Sequence, residues 1–463
     1  MKLNQSESIS RRAFLKRTAQ LSATGLASPF LMTLAGMGEA AAATCTNGDY
    51  KALVCVFLHG GNDHANTLIP VDNVFYSKYQ SIRPSVAIAQ DALSSTTLNP
   101  SQSLPGGMRL ALAPQMQALM PLFQMGRLGI QLNVGPLIEP TNLDTYTKRT
   151  VRLPPKLFSH NDQSSLWQSN MAEGGIAGWG GKMGDLMLST NGGSSFTCIS
   201  VSGNAVFLSG EKAISYQITP NGSIPIGPLD NISSSKACGQ LLQKLITSGS
   251  SNYLEAYLNT VTSRSIAASG VFAGAFNPVN ISTAFESGSS LASQLKAVAR
   301  TIAGRATLGV KRQVFFVSLG GFDTHDNLKA THPELLRKLA NALASFYEAT
   351  VELGVADQVT TFTASDFGRT LATNGDGSDH GWGGHHFVLG GAVNGGGFYG
   401  QAADISRKDE QNIDGGRLIP TTSVDHMIAN IAQWFGVSSD IIPLLAPHLK
   451  NFGGVGPSYF RCT

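Results

Sequence analysis

Residues 51–59 have the sequence KALVCVFLH, an apolar run that leads directly into the glycine-rich polar segment GGNDHANT at residues 60–67. A strand that is apolar at nearly every position is typical of one that is covered on both faces. Strands of this kind belong to parallel sheets whose two faces are packed with helices. The segment therefore predicts the first strand of an α/β fold, with polar residues where that strand ends.

The same pattern recurs along the chain. Further apolar runs predict strands at residues 126–135, 195–203, 312–321, 357–368 and 386–393. Helical periodicity separates them at residues 113–125, 289–306, 332–353 and 424–435. This alternation predicts a three-layer α/β/α sandwich with a mostly parallel central sheet. Residues 203–287 are richer in Ser, Asn and Gly and less periodic, and we interpret them as an inserted cap.

The N-terminal segment predicts export. Residues 10–16, SRRAFLK, have the form of a twin-arginine signal, and a modestly apolar stretch follows to residue 37. The small residues AAAAT at 40–44 predict cleavage near Ala43, which leaves a mature domain at 44–463. We expect the twin-arginine translocase to deliver the protein to the periplasm or cell exterior. No stable membrane anchor is expected, because the apolar stretch is broken by Gly25, Ser28, Pro29 and Gly36.

Charge and cysteine content argue against several classes of function. The chain has 33 Lys and Arg against 30 Asp and Glu, but residues 1–43 hold five of the former and two of the latter. The mature chain thus keeps 28 of each and is formally neutral, which argues against a nucleic-acid partner. None of the five cysteines forms a C-x-x-C pair, which argues against iron–sulfur, haem or dithiol chemistry. Cys55 is predicted to be a buried thiol; bridges Cys45–Cys462 or Cys198–Cys238 remain open.

Polar clusters follow four of the predicted strands. In open α/β sheets, ligands bind at the carboxyl ends of the strands, so these clusters predict one shared site. Carboxylates and imidazoles there can bind one or two divalent ions, with zinc, calcium or manganese as candidates. The candidate metal ligands are Asp63, with Asn66 as its alternative, and Asp323, His325, Asp366, Asp379 and His380. Metal-assisted hydrolysis of a small-molecule phosphate or sulfate ester is the chemistry that such a set suits.

A fifth cluster, SHNDQ at residues 159–163, is predicted to begin a helix. A hydroxyl and an imidazole at a helix start suit a nucleophile or an anion site, which makes Ser159 and His160 catalytic candidates. Arg369 can bind an oxyanion in bidentate fashion, or it can pair with a carboxylate such as Asp366.

Other histidines and a tryptophan are assigned mainly to structure. At most one of His385 and His386 can join the site, because neighbouring residues of a strand face opposite ways. Trp382 is expected to pack against the glycine-rich turn. Structural roles are also predicted for His332, His426 and His448, with His59 ending a strand.

Five motifs resemble a known family. They are HGGNDHANTLIP (59–70), SHNDQSSLW (159–167), GGFDTHDN (320–327), SDFGRTLATNG (365–375) and DHGWGGHHFVLGGAVNGGGFYG (379–400). With the twin-arginine signal they resemble the exported proteins of domain-of-unknown-function family 1501, over nearly the whole mature chain. That family is placed in the alkaline phosphatase-like superfamily, beside sulfatases and phosphopentomutases. The resemblance implies an α/β/α sandwich with metal ligands on strand-end loops.

The resemblance also implies roles for individual residues. Asp63 fits the first aspartate of the superfamily's metal site, Asp323 and His325 its later aspartate–histidine pair, and His380 its final histidine. Asp366-Phe367-Gly368 resembles an Asp-His-Gly motif with phenylalanine in place of the imidazole, for which His160, His64 or His386 can substitute. Ser159 is the implied nucleophile, Ser365 its alternative, and His160 or Arg369 would stabilise the oxyanion. A C-x-P-x-R motif, and with it a formylglycine nucleophile, is absent from the sequence. The competing interpretation is a non-catalytic binding protein with a degenerate metal site.

Overall fold

A central sheet organises the protein, a computed structural model that describes residues 50–224, 226–230, 235–403, 405 and 412–461. The strands are β1 (Lys51–Leu58), β2 (Leu68–Pro70), β3 (Leu110–Leu112), β4 (Leu128–Gly135), β5 (Cys198–Ser200), β6 (Tyr216–Thr219), β7 (Gly222–Ser223), β8 (Arg312–Leu319), β9 (Val359–Ser365), β10 (Arg369–Thr373), β11 (Ser378–His380), β12 (Gly384–Gly390), β13 (Phe398–Tyr399), β14 (Asn412–Ile413), β15 (Arg417–Leu418) and β16 (Thr422–Ser423).

The helices lie between these strands. The α-helices are α1 (Asn73–Ile82), α2 (Met120–Gln124), α3 (Leu143–Lys148), α4 (His160–Ser169), α5 (Trp179–Met187), α6 (Gly227–Asp230), α7 (Lys236–Thr247), α8 (Tyr253–Phe276), α9 (Ser290–Ala303), α10 (Arg305–Leu308), α11 (Leu328–Glu352), α12 (Val424–Phe435) and α13 (Ile442–Leu445). Short 3₁₀ helices occur at His64–Asn66, Gln90–Thr96, Pro105–Gly107, Pro114–Leu119, Val206–Leu208, Ala356–Gln358 and Leu449–Asn451.

The main sheet has ten strands within the described residues. Their order is β13-β4-β12-β9-β1-β8-β5-β6-β7, and β16 also pairs with β4. β1 pairs in parallel with β8 and β9, and β5 pairs in parallel with β8 and β6. β12 runs antiparallel to β4 and β9, and β7 antiparallel to β6. The predicted mostly parallel sheet is confirmed, with β12 and β7 reversed.

Both faces of the sheet are covered, as β1 shows. Its alternate residues join two different apolar clusters: Ala52, Val54, Val56 and Leu58 pack with residues of α9 and α11, and Leu53, Cys55 and Phe57 with residues of α5 and α12. Burying each large apolar side chain stabilises the fold by roughly 1.5–3 kcal/mol, so a strand of this composition requires cover on both sides. The three-layer α/β/α sandwich is therefore confirmed.

The register of the central strands brings the polar loops together. Leu58 at the end of β1 lies opposite Leu319 of β8 and Ser365 of β9, so the loops after these strands start side by side. Because β12 is antiparallel to β9, its first residue, Gly384, lies at that same edge of the sheet. The chain thus stays at this edge between the end of β9 and the start of β12, and the segment between them includes β11, which ends at His380.

Two local predictions have different outcomes. The helix predicted at 113–125 is wrong as one element: a 3₁₀ helix at Pro114–Leu119 is followed by the short α2. Pro114 and Pro121 lack the N–H groups that a continuous helical ladder needs. The region predicted as an insertion contains β6, β7 and α6–α8, and β6 extends the main sheet. Its role as a cap stays a prediction.

The cysteines that are described are free. Cys198 is buried in β5 whereas Cys238 is exposed on α7, so the bridge considered between them is not present. Cys55 is a buried free thiol, as predicted. The export signal, its cleavage site and the Cys45–Cys462 bridge lie outside the described residues. None of the described helices is long and apolar enough to span a membrane.

Fully buried histidines predict a fall in stability in acid. Burial lowers the pKa of His332 and His385 to about 4, and burial together with the charge of His385 lowers the pKa of His386 to about 3. These imidazoles stay neutral in the folded protein, whereas the unfolded chain takes up protons below about pH 6.5. We expect the free energy of unfolding to fall by at least about 3 kcal/mol from pH 7 to pH 4, the contribution of one such histidine.

Urea unfolding in the presence of a chelator measures this effect without a contribution from metal release. The variant His386→Gln keeps a polar side chain that does not titrate, and its unfolding free energy should depend less steeply on pH. A free energy that stays constant between pH 7 and pH 4 would show that these histidines do not titrate as described.

Candidate metal centre

Four side chains converge at the carboxyl edge of the sheet. His160 lies in the first turn of α4, Asp323 and His325 lie in the loop after β8, and His380 ends β11. We call these four residues the histidine–aspartate cluster. Their side chains are between 25% and 46% exposed, so solvent and small molecules can reach them.

The ligand atoms of the histidine–aspartate cluster are closely spaced. Nε2 of His380 lies 3.1 Å from Nε2 of His160 and 2.8 Å from Nε2 of His325. Oδ1 of Asp323 lies 3.2 Å from Nε2 of His325 and 3.4 Å from Nε2 of both His160 and His380. Around a tetrahedral ion with bonds of about 2.0–2.1 Å, neighbouring ligand atoms are roughly 3.3 Å apart. His160, Asp323 and His380 thus form a group that can hold a metal ion, with His325 beside it.

On the far side of the cluster, two of the three imidazoles form a hydrogen bond to an acceptor. Nδ1 of His160 lies 2.6 Å from Oδ2 of Asp366, and Nδ1 of His380 lies 2.8 Å from the carbonyl oxygen of Phe158. Nδ1 of His325 lies 3.4 Å from Oδ1 of Asp379. A carbonyl or an ionised carboxylate only accepts, so the two hydrogen bonds place the proton of the neutral rings of His160 and His380 on Nδ1. The Nε2 lone pairs of His160 and His380 then face each other, an arrangement that a cation between them stabilises.

Arg369 holds the carboxylate of the cluster. The guanidinium is fully buried, and its Nη1 donates to Oδ1 of Asp323 at 2.6 Å and to the carbonyl oxygen of Gly60 at 3.0 Å. It also donates to the carbonyl oxygen of Ser378. Burial acts to raise the pKa of Asp323, but the hydrogen bond and charge of Arg369 outweigh it, and the net pKa is lowered. Asp323 is therefore ionised at neutral pH. Of the two roles predicted for Arg369, the structure shows carboxylate pairing, with Asp323 rather than Asp366.

Asp366 supports His160 from behind. Its Oδ2 accepts from Nδ1 of His160 and from the backbone N–H of Gly60 at 2.9 Å. The hydrogen bond with Asp366 is the main reason that the pKa of His160 is raised, against the lowering effect of burial. Oδ1 of Asp366 is buried and has no hydrogen-bond partner within the described residues. This carboxylate orients an imidazole of the candidate metal group, and its second oxygen has no partner among the described residues.

Phe158 and Arg417 fix His380. Phe158 adopts φ 73°, a left-handed conformation that is uncommon for a bulky residue, and this directs its carbonyl oxygen at Nδ1 of His380. Nε of Arg417 donates to the carbonyl oxygen of His380 at 2.8 Å, and its guanidinium lies 4.9 Å from the centre of the Phe158 ring. Burial is the main reason that the pKa of His380 is lowered, which keeps this imidazole neutral and able to bind a metal.

The β10–β11 hairpin packs directly against the loop that carries His325. Ser378 donates its N–H to the carbonyl oxygen of Thr324 at 3.1 Å. A Cβ atom at Gly377 would lie 2.0 Å from the carbonyl oxygen of His325, so only glycine fits at the turn. Glycine at position 377 thus allows the backbone of the hairpin to contact the backbone of the loop that carries His325.

We expect Gly377→Ala to weaken metal binding at least tenfold, because the loop must move away and take His325 with it. Loss of the groups that support metal ligands typically lowers metal affinity about 10–100-fold. Metal affinity measured against a chromophoric chelator checks this. The matched control is Gly320→Ala in the same loop, where an added Cβ meets no atom within 4 Å. Equal affinities of the two variants would contradict the prediction.

Asp63 does not join the cluster. Its side chain is fully buried and pairs with the equally buried Arg83, and its Oδ1 accepts from the N–H of Ala65. The alternative, Asn66, is held by Tyr79, Arg83 and the carbonyl oxygen of Val86. The metal-ligand role expected for either residue is therefore not supported by their positions. Asp63, which follows β1, therefore neutralises the charge of the buried Arg83.

The two serines considered as nucleophiles are directed elsewhere. The hydroxyl of Ser159 donates to Oδ2 of Asp162 at 2.8 Å, within the first turn of α4. Ser365 is fully buried, donates to the carbonyl oxygen of Leu58 and accepts from the N–H of Asn62. The structure does not bring either hydroxyl into contact with the histidine–aspartate cluster.

The remaining candidates are structural or secondary. Asp379 lies behind His325 rather than among the grouped ligands, and also accepts from Asn374. Trp382 is fully buried and donates to the carbonyl oxygen of Pro136, as packing predicts. Both strand histidines are buried: His385 accepts from the N–H of Asn133, and His386 contacts Thr363 and the Trp167 ring. His64 lies edge-on to His385.

Three supporting residues were not identified from the sequence: Arg83, Phe158 and Arg417. Each acts through a backbone group or a distant partner, so no local motif marks it. The one available indication was the basic residue Arg417 directly after Gly415 and Gly416, which is a weak pattern.

Comparison with known proteins gives one extended match. The family model described as "Protein of unknown function (DUF1501)" matches residues 50–439. No curated protein matches the sequence significantly.

Three solved structures that the chain is similar to have low sequence identity and low TM-scores. The lipoteichoic acid synthase LtaP from Listeria monocytogenes is 9% identical, with 88% of this chain and 78% of that chain covered and a TM-score of 0.29. A protein of glycosaminoglycan metabolism from Bacteroides thetaiotaomicron is 10% identical, with 86% and 76% covered and a TM-score of 0.31. A mutant of the alkaline phosphatase PafA is 12% identical, with 71% and 64% covered and a TM-score of 0.24. TM-scores this low do not establish a shared fold.

Proposed function

This chain belongs to the DUF1501 family, and we propose that it is an exported metal-dependent hydrolase of phosphate or sulfate esters. The observation that carries the proposal is the convergence of three imidazole Nε2 atoms on the Asp323 carboxylate, with a hydrogen-bond acceptor behind His160 and behind His380. Twin-arginine export, the alkaline phosphatase-like fold and the ester class come from the resemblance described above, and they are part of the proposal.

His160, Asp323 and His380 would hold the ion, with His325 beside them. A ligand set of imidazoles and a carboxylate suits zinc best, and manganese next; calcium prefers a shell made only of oxygen ligands. A divalent ion bound there would polarise an ester oxygen and lower the pKa of a water molecule. The cluster is partly exposed, so an ester can approach it from solvent.

Residues around the cluster position its ligand side chains and balance the charge of Asp323. Arg369 keeps Asp323 ionised and fixed, and since its guanidinium is buried against three acceptors it does not reach out to an oxyanion. Asp366 holds the proton of His160 at Nδ1, and the Phe158 carbonyl holds that of His380 at Nδ1. These contacts direct both Nε2 lone pairs at one point, which preorganises the site.

We propose water rather than Ser159 as the nucleophile, because the Ser159 hydroxyl is bound to Asp162. The variant Ser159→Ala should therefore keep kcat within about tenfold of the parent protein, since removal of a true nucleophile costs orders of magnitude more. Steady-state hydrolysis of an aryl phosphate measures this. A loss of more than about a thousandfold would restore Ser159 as the nucleophile.

A non-catalytic binding protein is the second candidate, and a specific observation favours it. The Phe367 ring lies 4.8 Å from the ring of His160 and 4.7 Å from that of His380, so an apolar side chain packs where the resembled motif has an imidazole. Such a site can bind an ion and an anion without turning over an ester.

Hydrolysis assays separate the two candidates. Protein loaded with zinc or manganese is tested on aryl phosphates and aryl sulfates, beside the variant His380→Ala. Turnover that is lost in the variant supports the hydrolase. Metal-dependent binding of inorganic phosphate or sulfate without turnover supports the binding protein, and turnover that survives in the variant overturns the proposed site.

A further inference from the structure

The long helix α8 carries a line of mostly apolar residues along one side. They recur at alternating intervals of four and three residues, which is the spacing of a helix that packs lengthwise against another helix. The residues are Leu254, Leu258, Val261, Ser265, Ala268, Phe272 and Ala275. We call this line the α8 seam.

The C-terminal half of the α8 seam is covered by the protein itself. Phe272 and Ala275 are buried in the main apolar cluster, and Ala268 packs against that cluster. The ring of Phe272 lies 5.9 Å from that of Phe196 and 5.4 Å from that of Tyr216. This half of the seam therefore holds α8 on the body of the protein.

The N-terminal half of the same seam is exposed to solvent. Leu254, Leu258 and Val261 are 75%, 62% and 45% exposed, and Tyr253 and Tyr257 beside them are 82% and 64% exposed. Single apolar residues on a surface are ordinary, but large ones grouped on one side of a helix form a patch of the kind that binds another protein.

The neighbouring helix α7 packs against a different side of α8. Nδ2 of the buried Asn259 donates to the carbonyl oxygen of Ser248, which directly follows α7. At 3.6 residues per turn, position 259 lies roughly 130° around the helix from the seam. The contact with α7 thus leaves Leu254, Leu258 and Val261 open.

The exposed patch has the size of one side of a dimer interface. At about 60–120 Å² of apolar surface per aliphatic side chain and about 150–250 Å² per tyrosine, its five side chains expose roughly 400 Å². A standard interface buries about 800 Å² on each partner, of which about 55–65% is apolar. The patch supplies most of that apolar area.

The charges of this part of α8 favour a second copy of the chain as the occupant. Residues 253–264 contain one acidic residue, Glu255, and one basic residue, Arg264, so two copies of the surface do not repel each other. An anionic membrane surface would favour a polar face rich in Lys and Arg, whereas Arg264 is the single basic residue of α8. An apolar seam pairs with a helix of the same spacing, which a second copy supplies.

We propose that the protein forms a symmetric dimer through the N-terminal halves of two α8 helices. The same surface then lies on both sides of a two-fold axis, with Leu254, Leu258 and Val261 at its centre. Because the C-terminal half of each α8 runs into the body, an antiparallel arrangement of the two helices keeps the bodies apart. The dimer does not depend on metal or on hydrolysis, so this inference goes beyond the proposed function.

Sedimentation equilibrium of the mature chain tests the proposal. We expect dimers, and we expect Leu254→Glu/Leu258→Glu to raise the dimer Kd about 100-fold or more, because the interface would bury unpaired charges. Leu258→Ala only shortens one side chain and should raise the Kd about tenfold. The matched control is Leu241→Glu/Leu245→Glu, a pair of leucines on α7 with the same spacing and 67% exposure each, which should leave the Kd unchanged. Circular dichroism checks that each variant is folded.

Three results would overturn the dimer. The first is parent protein that stays monomeric at concentrations well above the micromolar range. The second is a dimer that persists in the folded Leu254→Glu/Leu258→Glu variant or is lost in the α7 control. The third is monomeric protein that sediments with vesicles of phosphatidylglycerol and phosphatidylethanolamine unless the α8 leucines are replaced, which would assign the patch to a membrane surface instead.

Discussion

Replacing His380 with alanine is expected to reduce divalent-metal affinity by more than about 100-fold, a larger loss than removal of an outer supporting group causes. His380 would be the central ligand of the proposed site, because its Nε2 lies 3.1 Å and 2.8 Å from those of His160 and His325. Competition with a chromophoric zinc chelator measures the change. Since metal binding stabilises the folded state, the thermal midpoint of the variant should also lose its response to added zinc.

Two variants control this prediction. His386→Gln replaces a buried histidine outside the cluster and should retain the parent affinity. Asp366→Asn keeps the shape of the support behind His160 but removes its charge, and should reduce the affinity about 10–100-fold. If His380→Ala binds zinc as the parent protein does, the histidine–aspartate cluster is not the metal site.

The second large effect concerns stability. Arg83 and Asp63 form an ion pair in which both side chains are almost completely buried. Nη1 of Arg83 also donates to the carbonyl oxygens of Thr370 and Leu371 at 2.9 and 3.0 Å. Arg83→Met leaves an unpaired buried carboxylate, so we expect a loss of about 3–5 kcal/mol in the free energy of unfolding. Chemical denaturation of metal-free protein measures it.

The same pair also tests the role of Asp63. Asp63→Asn should destabilise the protein but leave the metal content of the folded fraction unchanged, because Asp63 lies outside the cluster. The matched control for Arg83→Met is Arg337→Met, which removes a solvent-accessible arginine from Glu286 and Glu334 and should destabilise the protein far less. Loss of metal on Asp63→Asn would restore Asp63 as a ligand.

Most of the fold could be predicted from the sequence, because the pattern of apolar residues determines which segments form buried strands. The continuous apolar run at residues 51–59 corresponds to the doubly covered β1, and the run at 312–321 to its parallel neighbour β8. The direction of β12 could not be predicted, since a buried strand has the same composition whichever way it runs. The break in the helix at 113–125 was predictable from Pro114 and Pro121.

The site was only partly predictable. Asp323, His325 and His380 lie in motifs at the sheet edge and meet in space, and His160 joins them from a helix start. Asp63 follows a strand in the same way, yet its partner Arg83 is twenty residues away in sequence and gives no local pattern. The sheet edge collects polar residues for ion pairing and for ligand binding alike. Only tertiary contacts separate the two uses.

Metal content is the most direct test of the central claim. The mature chain is purified without chelator, and its metals are quantified by inductively coupled plasma mass spectrometry beside an Asp323→Ala/His380→Ala double variant. The cluster predicts one tightly bound zinc or manganese ion per chain in the parent protein and none in the double variant. Parent protein that contains no metal, and takes up none when zinc or manganese is supplied, would contradict the metal centre and the hydrolase with it.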